Sequence, residues 1–184
     1  MRAKQIFERD LNNQVPPVRG WNYLISMKYP ILTWQRRLRS IEELQSSKKL
    51  SAFRKIKLAI LKYKHKKDSV RLGFTIPPHT FGPGLSIAHW GTIAVEGEAR
   101  IGANCRIHQG VTIGRGKGKN PKIGDNCFIG ANACVIGDVT LGDNVRIGAG
   151  AVVVHSFGDG AVLVGNPARD VSKTEVADVG GKVE

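Results

Sequence analysis

Five histidines and three cysteines hold the side chains best suited to proton transfer, nucleophilic attack or metal binding in this chain. Cys105, Cys127 and Cys134 never reach C-x-x-C spacing, so they read as small core fillers in a reducing compartment, with no metal expected. The histidines differ in setting. His89 heads the run His89-Trp90-Gly91-Thr92-Ile93, His108 sits in IHQGVT behind an isoleucine, and His79 lies in a proline-rich stretch. His65 falls in a lysine-rich segment and His155 near a closing turn. An imidazole with an ordinary pKa near 6.5 can take a proton from a hydroxyl nucleophile at neutral pH and return it to a leaving group. The segment RGKGKNPK, 115–122, adds a basic, glycine-rich loop with Lys119 and Asn120 near its end.

These residues are embedded in a repeat. Ile101, Ile107 and Ile113, then Ile123, Ile129, Val135, Leu141, Ile147 and Val153, recur every six residues. Four residues after most of them comes a small or apolar side chain: Cys105, Val111, Cys127, Ala133, Val139, Val145 and Ala151. Six is the wrong period for a helix. It fits a parallel β-helix whose coil has three flat faces of one hexapeptide each, with both marked positions pointing inward. Glycine is expected to relieve the backbone at the corners. The step from Ile93 to Ile101 holds two extra residues, and that from Ile113 to Ile123 holds four, which form the basic loop.

Charge divides the chain. The formal net charge is +13, and residues 1–71, with 18 Lys+Arg against 5 Asp+Glu, carry all of it. Residues 72–184 carry 10 of each sign. Three parts are expected: a basic helical region over 1–71, a solenoid over 72–171 and a polar tail over 172–184. Residues 1–20 read as polar chain broken by Pro16-Pro17 and Gly20. Ser40 with Glu43 reads as a capping box that opens a helix. From 51 to about 67, Phe53, Ile56, Ile60 and Tyr63 form an apolar stripe among lysines. Core packing is its commoner meaning and a membrane face the other. A basic region of this kind, 36–71 above all, attracts an anionic membrane or polymer. No nucleic-acid-binding signature is present, and no 18-residue apolar run or signal-peptide core is seen. A cytoplasmic protein is expected, with peripheral attachment at the inner face of the membrane as the alternative.

The runs GLSIAHWGTIAVEGEARIGANCRIHQGVTIG, PKIGDNCFIGANACVIGD and VGNPAR resemble hexapeptide-repeat acetyltransferases over roughly residues 70–171. The resemblance is strongest to the serine acetyltransferase branch, with its relatives in capsule, colanic-acid and O-antigen synthesis. It implies a mainly-β left-handed parallel β-helix behind an N-terminal α-helical region, assembled as a homotrimer with active sites between subunits. It also implies acetyl-CoA as co-substrate and His89 as general base. By the same resemblance Gly114, Ala131, Ala149 and Arg169, with Lys173, would line acetyl-CoA. His108, Lys119, Asn120 and His79 would face the acceptor. Zinc anhydrases of this fold need a histidine pair at H-x-x-x-x-H spacing, which is missing here.

Three positions depart from the serine-specific pattern. Ala88 stands where an aspartate precedes the histidine, Thr75 near a second aspartate, and Lys119-Asn120 where an Arg-His pair precedes the Pro-Lys. Free serine carries an ammonium that needs an acidic partner. A sugar hydroxyl of a surface polysaccharide or its precursor is therefore the expected acceptor. Serine O-acetylation is the alternative. A non-catalytic solenoid that binds an acidic partner or a membrane surface is the alternative from another class.

Overall fold

The computed structural model describes residues 2–172; the tail beyond lies outside the described residues. Four helices come first: α1 (Ala3–Asn12), α2 (Tyr23–Lys28), α3 (Pro30–Gln45) and α4 (Ala52–Leu72). Gly73, in the left-handed region at φ 80°, ends α4. Short strands follow. They are β1 (Phe74–Thr75), β2 (Ser86–Ile87), β3 (Ile93–Val95), β4 (Arg100–Ile101), β5 (Arg106–Ile107), β6 (Thr112–Gly114) and β7 (Lys122–Ile123). Then come β8 (Phe128–Ile129), β9 (Cys134–Ile136), β10 (Thr140–Leu141), β11 (Arg146–Ile147), β12 (Val152–Val153), β13 (Val162–Val164) and β14 (Arg169–Asp170).

The strands stack into three sheets, ordered β1-β3-β6-β9-β12, β10-β7-β4 and β14-β13-β11-β8-β5-β2. All pairings are parallel except β13 with β14. This is a mainly-β parallel solenoid behind a helical region. Partners such as Phe128 and Arg146, or Cys134 and Val152, are 18 residues apart, three hexapeptides per coil. Arg106 and Phe128 are 22 apart, because the basic loop adds four residues to that coil.

Every aliphatic and small position marked by the period is buried, from Ile101 and Cys105 to Ala151 and Val153. Cys134, one step out of phase, is only half-buried. Burial raises the thiol pKa of Cys105 and Cys127, which keeps both protonated and inert. The corners differ from expectation. Asn104, Asn126, Asn132 and Asn144 take the left-handed conformation at φ 57–59°. Gly102 and Gly124 serve another purpose: a Cβ on Gly124 would come within 2.6 Å of the Gly142 carbonyl carbon in the next coil. Aspartates bind coil to coil beside them. Asp125 accepts from the Ala103 N–H at 2.6 Å, Asp143 from Asp125 at 2.7 Å and Asp159 from Asp143 at 2.8 Å.

The helical region departs further from the reading above. Residues 3–12 form α1, whose Phe7 and Leu11 pack on Leu32. Two turns of buried spacing were hidden by the polar residues between them. Ser40 opens nothing: it lies inside α3 and its hydroxyl donates to the Arg36 carbonyl at 3.0 Å. The true start is Pro30, in the first turn, where its missing N–H costs nothing. The stripe Phe53, Ile56, Ile60 and Tyr63 does lie on a helix, but it is exposed, so it is not core.

Nor are the helices a detached arm. Trp34, Leu38 and Leu72 join the same apolar core as the solenoid residues. Asp10 and Arg39, both buried, form a bidentate pair at 2.8 and 3.1 Å. Asp10 also accepts from the N–H groups of Gly84 and Leu85 at 2.8 and 2.9 Å. Arg39 donates to the carbonyls of Phe81 and Gly82 and to Glu42. Burial pushes the Asp10 carboxyl up, while Arg39 and the two amides pull it back. Burial also opposes the Arg39 charge, yet Asp10 and Glu42 hold its pKa above the ordinary value. Asp10→Asn leaves a buried guanidinium short of its partner. It is expected to cost about 3–5 kcal/mol, read as a lower urea midpoint; a loss under about 1 kcal/mol contradicts the pair's role.

Candidate active site

His89 stands at the corner where β2 gives way to β3. The turn is sharp: Gly91 lies at φ 133°, and its N–H donates to the Leu72 carbonyl at 3.0 Å. His89 and Trp90 are both exposed, Trp90 by 66%. Among the described residues no hydrogen bond fixes the His89 ring. The neighbour is His108, with ring centroids 5.9 Å apart at 65°. His108 in turn meets Phe128 edge-on at 5.2 Å, and the Arg146 guanidinium covers the Phe128 ring at 5.3 Å. Phe128 is in register with Arg146, and His108 lies two residues beyond Arg106, the partner of Phe128 on the neighbouring strand. Partial burial lowers the His108 pKa, and the positive charges of Arg106 and His89 lower it further.

A cavity of about 480 Å³ opens beside His89. Its floor is Ile87–Trp90 and its walls come from residues 14–19 and 28–32 of the helical region. Arg19, Lys28 and Tyr29 line it, with no Asp or Glu, and the Lys28 ammonium lies 5.5 Å from the Tyr29 ring centre. Sequence reasoning missed this wall. Gln14 and Gln35 clamp it by donating to the Leu85 carbonyl at 3.2 and 2.8 Å, and Ser86 donates to Gln14 at 3.4 Å. No sequence signal distinguishes these two glutamines. A larger cavity of about 720 Å³ lies between α1 and α3, and no histidine or cysteine lines it.

The other expected site residues scatter. Register places Gln109, Ala131 and Ala149 in one column beneath His89, with Asn132 donating to the Gln109 carbonyl and Gly150 to that of Ala131. Gln109 Oε1 is buried without a partner. Gly114 lies at the end of β6, the middle strand of the next sheet. Arg169 is exposed on β14, five strands from β2 across the sheet, roughly 24 Å at ~4.8 Å per strand. Lys173 lies outside the described residues. Lys119 pairs with Asp138 at 2.6 Å in the basic loop, and Asn120 Oδ1 beside it is buried and unpartnered. His79 faces a different cavity, with Arg39, Glu42 and Arg100, and its N–H donates to Glu42. Within one chain, then, only His108 of the acceptor-side residues meets His89. Among the described residues no group of three or more His, Cys, Asp or Glu could hold a metal ion.

Residues 120–155 match the bacterial transferase hexapeptide family (six repeats), and residues 92–116 the hexapeptide repeat of succinyl-transferase. The chain is a hexapeptide-repeat β-helix protein close to the serine acetyltransferase and WcaB branch. It is 41% identical over 104 residues to serine acetyltransferase 1, chloroplastic, of Arabidopsis thaliana, covering 54% of this chain and 33% of that protein. It is 40% identical over 93 residues to the putative colanic acid biosynthesis acetyltransferase WcaB of Escherichia coli, covering 49% and 57%. The solved serine acetyltransferase of Neisseria gonorrhoeae superposes with a TM-score of 0.72 at 27% identity, over 99% of this chain and 70% of that one. A serine acetyltransferase solved in complex with CoA gives 0.71 at 25%, over 92% and 69%. This chain thus spans between a third and three-fifths of the two curated relatives.

The His89 ring lies close enough to His108 to act on its pKa. Burial and Arg106 lower the His108 pKa most and His89 adds to them, so removing His89 is expected to raise that value. In His89→Ala the His108 pKa, followed by NMR titration, is expected to move up towards 6.5. An unchanged value would break the coupling.

Proposed function

We propose that this chain is an acetyl-CoA-dependent O-acetyltransferase whose acceptor is a sugar hydroxyl of a surface polysaccharide or its precursor. The observation that carries the acceptor class is the cavity beside His89, lined by Arg19 and Lys28 and by no carboxylate. An ammonium would enter without a counter-charge and against two cations. A sugar needs none, and the exposed Trp90 ring offers it an apolar face. The serine acetyltransferase relatives favour a second reading, L-serine as acceptor, and on resemblance alone they support it better than the sugar reading. Ala88 and the cavity lining argue against it.

In this reading His89 takes the proton of the acceptor hydroxyl as its oxygen attacks the thioester carbon, then returns the proton to the departing sulfur. Burial, Arg106 and His89 all disfavour a positive charge on His108 beside it. The column of Gln109, Ala131 and Ala149 would receive the pantetheine arm: the small side chains of Ala131 and Ala149 leave room, and the orphaned Gln109 oxygen can accept an amide N–H. Arg169, at the far end of the same face, and Gly114 complete the expected acetyl-CoA contacts. Lys119 and Asn120 lie apart from His89 within one chain. A homotrimer, with a neighbour's loop reaching the site, would give them and the orphaned Asn120 oxygen a role. The intact His89 segment argues against a catalytically silent solenoid.

His89→Ala is expected to lower the rate of CoA release by ~10²–10⁴-fold while CoA binding persists. A variant that keeps most of its activity would transfer the base role to His108. Wild-type enzyme is expected to release CoA with glycan acceptors and poorly with millimolar L-serine. Efficient turnover of L-serine alone would establish the second reading instead.

A further inference from the structure

Helix α4 has two apolar faces. Leu58, Leu61, His65, Ser69 and Leu72 fall on one side at 3.6 residues per turn. That side meets α3, where Trp34 stacks on His65 at 4.7 Å and its indole N–H donates to Ser69 Oγ at 2.7 Å. Phe53, Ile56, Ile60, Tyr63 and Val70 fall on the other side. They are 76, 60, 50, 71 and 77% exposed, although most are large. Packing within the chain leaves this second face open to solvent.

Its borders are uniformly basic. Lys57, Lys64 and Arg71 run along one edge, Lys55, Lys62 and Lys66 along the other, and Lys67 lies within the stripe. The one acid of the helix, Asp68, is held by Arg37. Among the described residues no carboxylate pairs with any of these seven cations. No helix of the described residues is long and apolar enough to cross a membrane.

We propose that the outer face of α4 lies flat on an anionic lipid surface. The aromatic and aliphatic side chains enter the boundary between headgroups and acyl chains. The lysines on both edges extend outward to the lipid phosphates. The charge pattern selects this occupant. A second copy laid stripe to stripe would set like rows of cations against each other. An anionic polymer would satisfy the cations but leave Phe53, Ile56, Ile60 and Tyr63 in water.

The test is co-sedimentation of the full chain with vesicles of phosphatidylglycerol and phosphatidylcholine, or of phosphatidylcholine alone. Binding is expected on the anionic vesicles, and at least about tenfold weaker on neutral ones or in about 0.5 M salt. The triple variant F53S/I60S/Y63S is expected to lose at least about tenfold in vesicle affinity with its thermal unfolding unchanged. K57Q/K64Q/R71Q should lose affinity in the same way. No binding to either vesicle overturns the proposal. Retained binding in F53S/I60S/Y63S also overturns it, because charge alone then suffices, as for a polymer. Stripe-dependent self-association in lipid-free sedimentation assigns the face to a second copy and overturns it too. None of these outcomes depends on the acceptor that the enzyme uses.

Discussion

The buried Asp10–Arg39 pair is the constraint on which the rest of the molecule turns. A parallel solenoid has a first coil with no coil before it. Its amides and carbonyls there would be orphaned, and its apolar interior would meet water. Here Asp10 receives the N–H groups of Gly84 and Leu85, and Arg39 donates to the carbonyls of Phe81 and Gly82. Gln35 and Gln14 take the Leu85 carbonyl. Trp34 and Leu38 close the apolar interior. Two ions in a dry site are worth little as an isolated pair, since desolvation offsets their attraction. Their value lies in the six further hydrogen bonds that the same groups and their neighbours make to one coil.

That arrangement explains why the helical region also builds the wall of the site. His89 follows β2 by two residues, and β2 follows the coil segment that Asp10 and Arg39 hold. The chain leaving α1 must pass this corner before it returns as α3. Residues 14–19 and 28–32 therefore stand over His89 as a consequence of the cap. The repeat supplies a column of Gln109, Ala131 and Ala149 beneath the imidazole; the cap supplies the shape and charge beside it.

What could be read from the residues follows from periodicity. A six-residue period is imposed by geometry on every coil, so inward positions from Ile101 to Val153 announce themselves, as does the loop that interrupts them. His89 is legible because its segment is a local motif. Asp10, Arg39, Gln14 and Gln35 obey no period, and the partners that tie them to the first coil and to each other lie 29 to 75 residues away. Such contacts leave no local trace. The capping-box pattern at Ser40 failed for a related reason: a local signal competed with burial of Leu38, Ile41 and Leu44 along a continuous α3, and burial won. The stripe on α4 was legible as a stripe. Its exposure was not, because Leu58, Leu61 and Leu72 also offer α3 an apolar face, and the sequence cannot rank two faces of one helix.

The division of labour between cap and repeat has a chemical consequence under the proposed reading. Handling of the thioester belongs to the column of Gln109, Ala131 and Ala149 beneath His89. Acceptor choice belongs to Arg19, Lys28, Tyr29 and Trp90, on loops and a corner that the repeat does not constrain. Charge at those positions can change without disturbing a single inward residue. The absence of a carboxylate there is therefore not a by-product of the fold. A wall free to carry either sign makes Arg19 and Lys28 beside His89 the feature on which the sugar reading rests.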